Sequence, residues 1–139
     1  MTSKHTPSIA LNTLASLLSA ALAGCAHSQA SSPSPDNMPP AVAASLPLLL
    51  ADAAQRSGVP QHRLRVVRAA VVTWPDGSLG CPQPGFGYTQ ALVPGWQVII
   101  AVPSSAVPLH YHGSDRGRWV HCPAGRAQPA LDGDRNPRS

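Results

Sequence analysis

The chain has 139 residues and a formal net charge of +4. This length suffices for one small domain and excludes the large nucleotide-binding and barrel architectures. With 16 prolines, 11 glycines and only 12% charged residues, the composition predicts long stretches outside regular structure. The positive charge is mild and diffuse, so it suits the vicinity of anionic lipid headgroups and does not support nucleic-acid binding.

The amino-terminal segment has the pattern of an export signal. Lys4 precedes a mostly apolar run from residue 9 to residue 23, which is shorter than the roughly 20 residues of a membrane-spanning helix. The run ends in Leu22-Ala23-Gly24-Cys25, a string that resembles the lipobox of bacterial lipoproteins. The resemblance implies diacylglyceryl transfer to the Cys25 thiol, cleavage before Cys25 and acylation, for example by palmitate, of the new amino terminus. The alternative is an ordinary secretory signal that leaves Cys25 a plain thiol.

The residue after Cys25 indicates which membrane a bacterial lipoprotein is anchored in. In lipoproteins, an aspartate directly after the lipidated cysteine tends to retain the protein in the inner membrane. Ala26 occupies that position here, so the resemblance implies an outer-membrane anchor with the domain facing the periplasm. Two or three acyl chains anchor a protein stably. The membrane is therefore one expected partner, and display on the cell surface is the alternative orientation.

The composition divides the chain into four parts. We expect a lipoprotein signal peptide over 1–24, then the lipidated cysteine with a disordered Ser/Pro-rich tether over 25–40. A folded domain is predicted over 41–123 and a disordered tail over 124–139.

One amphipathic helix is predicted near residues 45–57. Its apolar positions repeat at helical spacing and comprise Leu46, Leu49, Leu50, Ala53 and Ala54. Ser45 is placed to cap the amino end, and Pro47 is tolerated in a first turn. Gly58 can adopt the left-handed conformation and is followed by Val59-Pro60, which predicts the end of the helix.

The rest of the domain is predicted to be four antiparallel strands. They are residues 64–74, 96–102, 109–112 and 118–122, with a long loop over 75–95 between the first two. The fold class is therefore α+β, with one helix packed on a small antiparallel sheet.

Three cysteines leave an even remainder once Cys25 is assigned to lipid. In an oxidising periplasm, the remaining Cys81 and Cys122 are expected to form a disulfide that ties the long loop to the last strand. The competing view makes Cys81 a nucleophile or a redox thiol, although it lacks a Cys-x-x-Cys partner.

The long loop resembles a segment of small uncharacterised secreted or lipid-anchored bacterial proteins. The resemblance covers about residues 64–122 and rests on Trp-Pro-Asp-Gly-Ser-Leu-Gly-Cys-Pro, from Trp74, and on a later Tyr-Thr-Gln. It implies no assigned activity. Long ordered loops in small domains are often functional, and the candidate ligand-binding residues are Trp74, Asp76, Phe86, Tyr88 and Gln90. The alternative is that these aromatic side chains only cover the sheet.

Histidines supply a weak candidate metal site. His110 and His112 alternate on one strand, and His121 on the next strand could lie nearby. Three imidazoles within reach could bind zinc or copper, although solvated strand histidines are common. Neither a metal nor another cofactor is expected.

Signatures of an enzyme are missing. The chain has no Gly-x-Ser-x-Gly, His-Glu-x-x-His or P-loop motif. Asp52, Asp76 and Asp115 have the positions of a helix surface and two turns. A basic cluster formed by Arg63, Arg65 and Arg68 could contact anionic headgroups or mark a solvated sheet edge.

These patterns together predict a non-catalytic binding module, anchored to the outer membrane, with an unknown envelope protein or small ligand as its partner. The alternatives are a small envelope enzyme that uses Cys81 and the long loop around it, and a histidine-based metal-binding protein.

Overall fold

The computed structural model describes residues 38–131. The predicted signal peptide, the lipobox with Cys25 and nearly all of the tether lie outside these residues, as do the last eight residues of the tail. The described part contains one α-helix, a short 3₁₀ turn over Gln61–Arg63 and one antiparallel sheet in the order β1-β2-β3-β4. The predicted α+β class, a helix on a four-stranded sheet, is confirmed.

Helix α1 spans Pro40–Ser57 and begins five residues earlier than predicted. Pro40 supplies the first turn, where the N–H that proline lacks would have no partner in the helix. Ser45 is therefore not the cap: its hydroxyl donates to the carbonyl of Ala41 at 3.0 Å, one turn back. Pro47 likewise lies inside the helix rather than in its first turn. The added turns bury Val42 in the core, and this burial offsets part of the cost of a proline inside the helix.

The helix ends as predicted. Gly58 adopts a left-handed conformation with φ of 69° and donates its N–H to the carbonyl of Ala54 at 2.9 Å. This closure satisfies a carbonyl that the last turn leaves without a helical partner.

The four strands are β1 (Arg65–Trp74), β2 (Val93–Ala101), β3 (Leu109–Ser114) and β4 (Trp119–Cys122). Strand β2 starts three residues before the predicted Trp96, because Val93-Pro94-Gly95 pairs with the end of β1 despite its turn-like composition. Strand β4 starts one residue later than predicted, since the carbonyl of Arg118 accepts from Ser114 N at 2.8 Å and closes the preceding turn.

Gly95 is required by the sheet itself. A β-carbon at this position would lie 2.0 Å from the carbonyl oxygen of Gly113 on β3. The absence of a side chain thus lets β2 and β3 approach closely at this point. The sequence predicted that Gly95 lies in a loop, but it belongs to a strand.

The sheet separates two apolar cores. The helix covers one face, where the buried side chains are Val42, Leu49, Ala53, Leu64, Trp96, Val98, Ile100, Val102 and Tyr111. The other face carries a smaller cluster of Val72, Trp74 and Leu79. Because Leu79 belongs to the loop between β1 and β2, this loop covers the face of the sheet opposite the helix.

The chain after β4 is part of the domain for longer than expected. The prediction placed a disordered tail over 124–139, but Gln128 N donates to the carbonyl of Gly80 at 2.8 Å and Leu131 N donates to that of Thr73 at 3.0 Å. Ala130 packs against the smaller apolar cluster. Residues 123–131 therefore return across the loop to β1.

Candidate functional site

Residues 75–92, here named the Cys81 loop, are covalently fixed to the sheet. Cys81 and Cys122 form a disulfide with a Cα–Cα distance of 5.6 Å, which confirms the predicted pairing. Both residues are buried. The bond joins the middle of the loop to the last residue of β4, so the loop has a cross-link as well as two anchored ends.

Trp74, predicted as a ligand-binding residue, lies in the core beneath this loop. Its side chain is fully buried, and its indole Nε1 donates to the carbonyl of Gly113 at 3.0 Å. The loop closes directly over the ring: a β-carbon on Gly80 would lie 2.5 Å from a Trp74 ring carbon, and the φ of Gly80 is 67°. Two constraints therefore require glycine at position 80: there is no room for a β-carbon beside Trp74, and the backbone is left-handed.

His112 holds the loop from the sheet side. Its ring stacks on Trp74 with 4.4 Å between centroids, and its Nδ1 lies 2.7 Å from the carbonyl oxygen of Leu79. A carbonyl can only accept, so Nδ1 carries the proton, and Nε2 is left to accept from the Gln97 amide at 3.3 Å. Leu79 itself has a left-handed φ of 57°, a conformation that a branched residue adopts only when its surroundings hold it.

Burial keeps His112 uncharged. Desolvation lowers the pKa of His112 from 6.5 to about 4, and the positive potential of His110 and His121 adds to this, although the hydrogen bond to Leu79 opposes it. At neutral pH the imidazole is therefore uncharged, and both of its nitrogens form hydrogen bonds. These bonds connect the Cys81 loop to the sheet.

The other predicted ligand-binding residues lie along the Cys81 loop and differ in their roles. Asp76 accepts at Oδ1 from Ser78 N at 2.8 Å and so closes a turn. The Tyr88 hydroxyl accepts from Gln83 N at 3.0 Å, and Gln90 Nε2 donates to the Tyr88 carbonyl at 3.2 Å. Phe86 is 68% exposed. Asp76 and Tyr88 thus shape the loop, whereas Phe86 and Gln90 present groups to the solvent.

The sheet separates the three histidines of the candidate metal site. His121 is the register partner of Tyr111 and shares its face under the helix, because directly paired residues point the same way. His110 and His112 occupy the opposite face. Across residues 38–131 no group of three or more His, Cys, Asp or Glu side chains could hold a metal ion. His121 therefore lies on the opposite face of the sheet from His110 and His112.

A polar cluster between the helix and the sheet was not predicted from the sequence. The Tyr111 hydroxyl donates to Asp52 Oδ2 at 2.8 Å, and Arg56 Nε donates to the same oxygen. Burial would raise the pKa of Asp52, but these two hydrogen bonds outweigh it and the pKa is lowered. Burial and the Asp52 carboxylate raise the pKa of Tyr111. The cluster ties α1 to β3, and only the helical spacing of Asp52 and Arg56 could have indicated it.

A groove of about 450 Å³ lies between the Cys81 loop and the turn that joins β3 to β4. Its lining comprises Gly77, Leu79, Thr89, Ala91, Leu92, Val93, Pro94, Ser114, Asp115, Arg116 and Arg118. None of the five predicted ligand-binding residues belongs to it. The sequence indicated the turn through its glycines, but it carried no signal that this turn would face the loop.

The basic cluster lies at the other end of the sheet from this groove. Arg65 pairs with Ala101 at one end, whereas the Gly95–Ser114 pair at the other end adjoins the groove. Arg63 and Arg65 are exposed, and Arg68 is half-buried. The sheet therefore separates two basic regions rather than gathering them into one.

These features define an α+β domain whose second face is closed by a disulfide-linked loop. Residues 46–122 match the profile of a family described as a domain of unknown function, DUF8738, and the chain belongs to this family. The match covers all four strands and the Cys81 loop. Neither the curated proteins nor the solved structures include a match to the chain. Among residues 38–131, no helix is both long enough and apolar enough to cross a membrane.

Proposed function

We propose that the chain is a membrane-anchored binding module of the bacterial envelope. A lipid on Cys25 holds it at the outer membrane, facing the periplasm, and the face formed by the Cys81 loop binds an envelope protein or a small ligand without catalysis. The lipobox-like Leu22-Ala23-Gly24-Cys25 supports the anchor.

One observation carries the binding role: the Cys81 loop is rigidly held and yet presents apolar groups to solvent. The disulfide fixes its middle, and Gly77 N donates to the carbonyl of Thr89 at 3.0 Å across its base. Nevertheless Phe86 is 68% exposed and Leu92 is 65% exposed. Large exposed apolar side chains on an ordered loop favour recognition. The loop is ordered when the domain folds, so a partner does not have to supply the conformational entropy of ordering it on binding.

Two observations weigh against the alternatives. The sulfur that a Cys81 nucleophile would need is bonded to Cys122, and both nitrogens of the nearby His112 are engaged in hydrogen bonds, so it offers no free base. A histidine-based metal site would need His121 on the face of His110, and the register places it on the other.

The anchor is tested by the change Cys25→Ser. The variant is expected to lose incorporation of a fatty-acid probe and to remain unprocessed or leave the membrane fraction. Undiminished labelling of the variant would rule out Cys25 as the lipidated residue.

The binding face is tested by Phe86→Ser together with Gln90→Ala. Both side chains are exposed, so the melting temperature should change little while crosslinked partners recovered from intact envelopes decrease at least tenfold. The matched control is Val107→Ser, an apolar residue 59% exposed in the turn between β2 and β3. Equal recovery with the loop variant and with the control would overturn the proposal.

A further inference from the structure

We infer that the groove beside the Cys81 loop binds a small amphiphilic anion, a carboxylate or phosphate group carried on an apolar chain. Arg116 and Arg118 would hold the anion, and Leu92 and Val93 would contact the chain. This inference rests on the proposed binding function and names the class of its ligand.

The walls of the groove are fixed before any ligand arrives. On one side, Asp115 N donates to the carbonyl of Pro94 at 3.1 Å, and Ser114 N donates to that of Arg118 at 2.8 Å. On the other side, the Gly77–Thr89 hydrogen bond closes the loop. Binding at a preformed groove avoids the entropic cost of ordering a loop.

The charge at the groove favours an anion. Arg116 and Arg118 are exposed, and within residues 38–131 neither guanidinium forms an ion pair. Asp115 offsets one of the two charges, which leaves a positive excess at the groove. Guanidinium groups bind carboxylate and phosphate through paired hydrogen bonds, whereas a cationic ligand would face repulsion.

The apolar residues that line the groove favour a ligand with an apolar chain. Leu92 is 65% exposed and Val93 is half-buried, and both line the groove. A volume of about 450 Å³ lies within the range of small-ligand sites. An apolar chain that covers Leu92 would remove this side chain from water, so the charge and the chain are recognised by different parts of one groove.

Four probes separate these contributions. Calorimetric titration uses the full chain carrying Cys25→Ser, which cannot be acylated at position 25. It compares decanoate, decyl phosphate, decanol and butyrate below their micellar concentrations. Decanoate or decyl phosphate should bind at least tenfold more tightly than decanol, which lacks the charge, and than butyrate, which lacks the chain. The tighter of the two ten-carbon anions identifies carboxylate or phosphate as the preferred group.

Matched variants locate the binding. Arg116→Gln with Arg118→Gln should weaken decanoate binding at least tenfold, about 1.4 kcal/mol. Arg63→Gln with Arg65→Gln removes the same charge at the opposite end of the sheet and should leave binding unchanged. Leu92→Ser should weaken binding, whereas Val107→Ser should not. Equal losses with both arginine pairs, or equal affinities for decanoate and decanol, would overturn the inference.

Failure of this inference is distinguishable from failure of the proposed function. If no amphiphile binds while Phe86→Ser with Gln90→Ala still abolishes crosslinking, the loop binds a protein and the groove assignment is wrong. If decanoate binds at the groove but the loop variant crosslinks normally, the ligand class stands and the protein-binding face is excluded.

Discussion

His112 illustrates how one neutral side chain can join two layers. Its Nδ1 donates to the Leu79 carbonyl of the loop, its Nε2 accepts from Gln97 of the adjacent strand, and its face stacks on Trp74. Protonation of Nε2 would place a charge in the core and would require the Gln97 amide to turn so that its oxygen accepts. The folded state therefore favours the neutral imidazole.

The stability of the domain should fall with acidification because of His112. Its pKa is about 4 in the folded state against 6.5 for an unperturbed histidine, so between these values the unfolded chain binds a proton that the folded chain excludes. The free energy of unfolding is expected to decrease by on the order of 2 to 3 kcal/mol as the pH falls from 7 to 4.5. Urea unfolding at both pH values measures this loss.

The variant His112→Asn provides the control for that experiment. An asparagine amide can still donate near the Nδ1 position but does not titrate, so the variant should be less stable at pH 7 and show a flatter pH dependence. His110 and His121, whose pKa values are also lowered by burial, account for the slope that remains. An unchanged slope in the variant would assign the effect to these two residues instead.

At the scale of the element, the start of α1 changes the expected role of Ser45. A serine at the amino-terminal cap contributes about 1 kcal/mol, whereas a serine inside a helix is slightly unfavourable relative to alanine. Because Ser45 lies inside the helix and bonds back to Ala41, Ser45→Ala should leave the free energy of unfolding unchanged or raise it by up to about 0.5 kcal/mol. A loss near 1 kcal/mol in chemical denaturation would instead restore Ser45 as the cap.

The Cys81 loop is expected to depend on its disulfide. Closing a loop of 41 residues contributes about 4 kcal/mol in the chain-entropy model. Replacing both Cys81 and Cys122 by serine should therefore lower the melting temperature by roughly 15 °C or more, because each 1 kcal/mol shifts a domain of this size by about 4 to 8 °C. The parent chain with reductant should show the same decrease. Coincident melting curves for all samples would contradict a stabilising role.

For the whole molecule, the sequence predicted what depends on local periodicity. The helical repeat, the alternation in the strands and the Gly58 stop are local patterns, and the structure confirms them. The first turns of α1 were missed because two prolines, Pro39 and Pro40, are typical of linkers. The amino end of β2 was missed because Pro94 and Gly95 are typical of turns, whereas here Pro94 pairs with Thr73 of β1 and Gly95 lets β2 approach β3 closely.

The candidate site was harder to predict, because its parts meet only in the folded chain. Phe86 and Gln90 were identified from residue type, but Trp74 was assigned to ligand binding when it lies in the core. The groove joins Leu92 to Arg116 and Arg118 across more than 20 residues of sequence. Only the pairing of β2 with β3 brings these side chains together, and no local pattern indicates that Leu92 would face the turn between β3 and β4.

The segment after β4 provides a test of where the domain ends. The family match stops at residue 122, yet residues 123–131 bond to Gly80 and Thr73, and Ala130 packs on the cluster that includes Trp74. Ala130→Asp would place a carboxylate against this apolar cluster, which should destabilise the domain by about 1 to 3 kcal/mol.

The matched control is Ala124→Asp, since Ala124 lies in the same segment and is exposed. Thermal unfolding should show a melting temperature lower by at least about 4 °C for Ala130→Asp and nearly unchanged for Ala124→Asp. Both variants add one negative charge, so a general electrostatic effect would shift them equally. Equal melting temperatures would mean that the segment only rests on the loop and that the stable domain ends at β4.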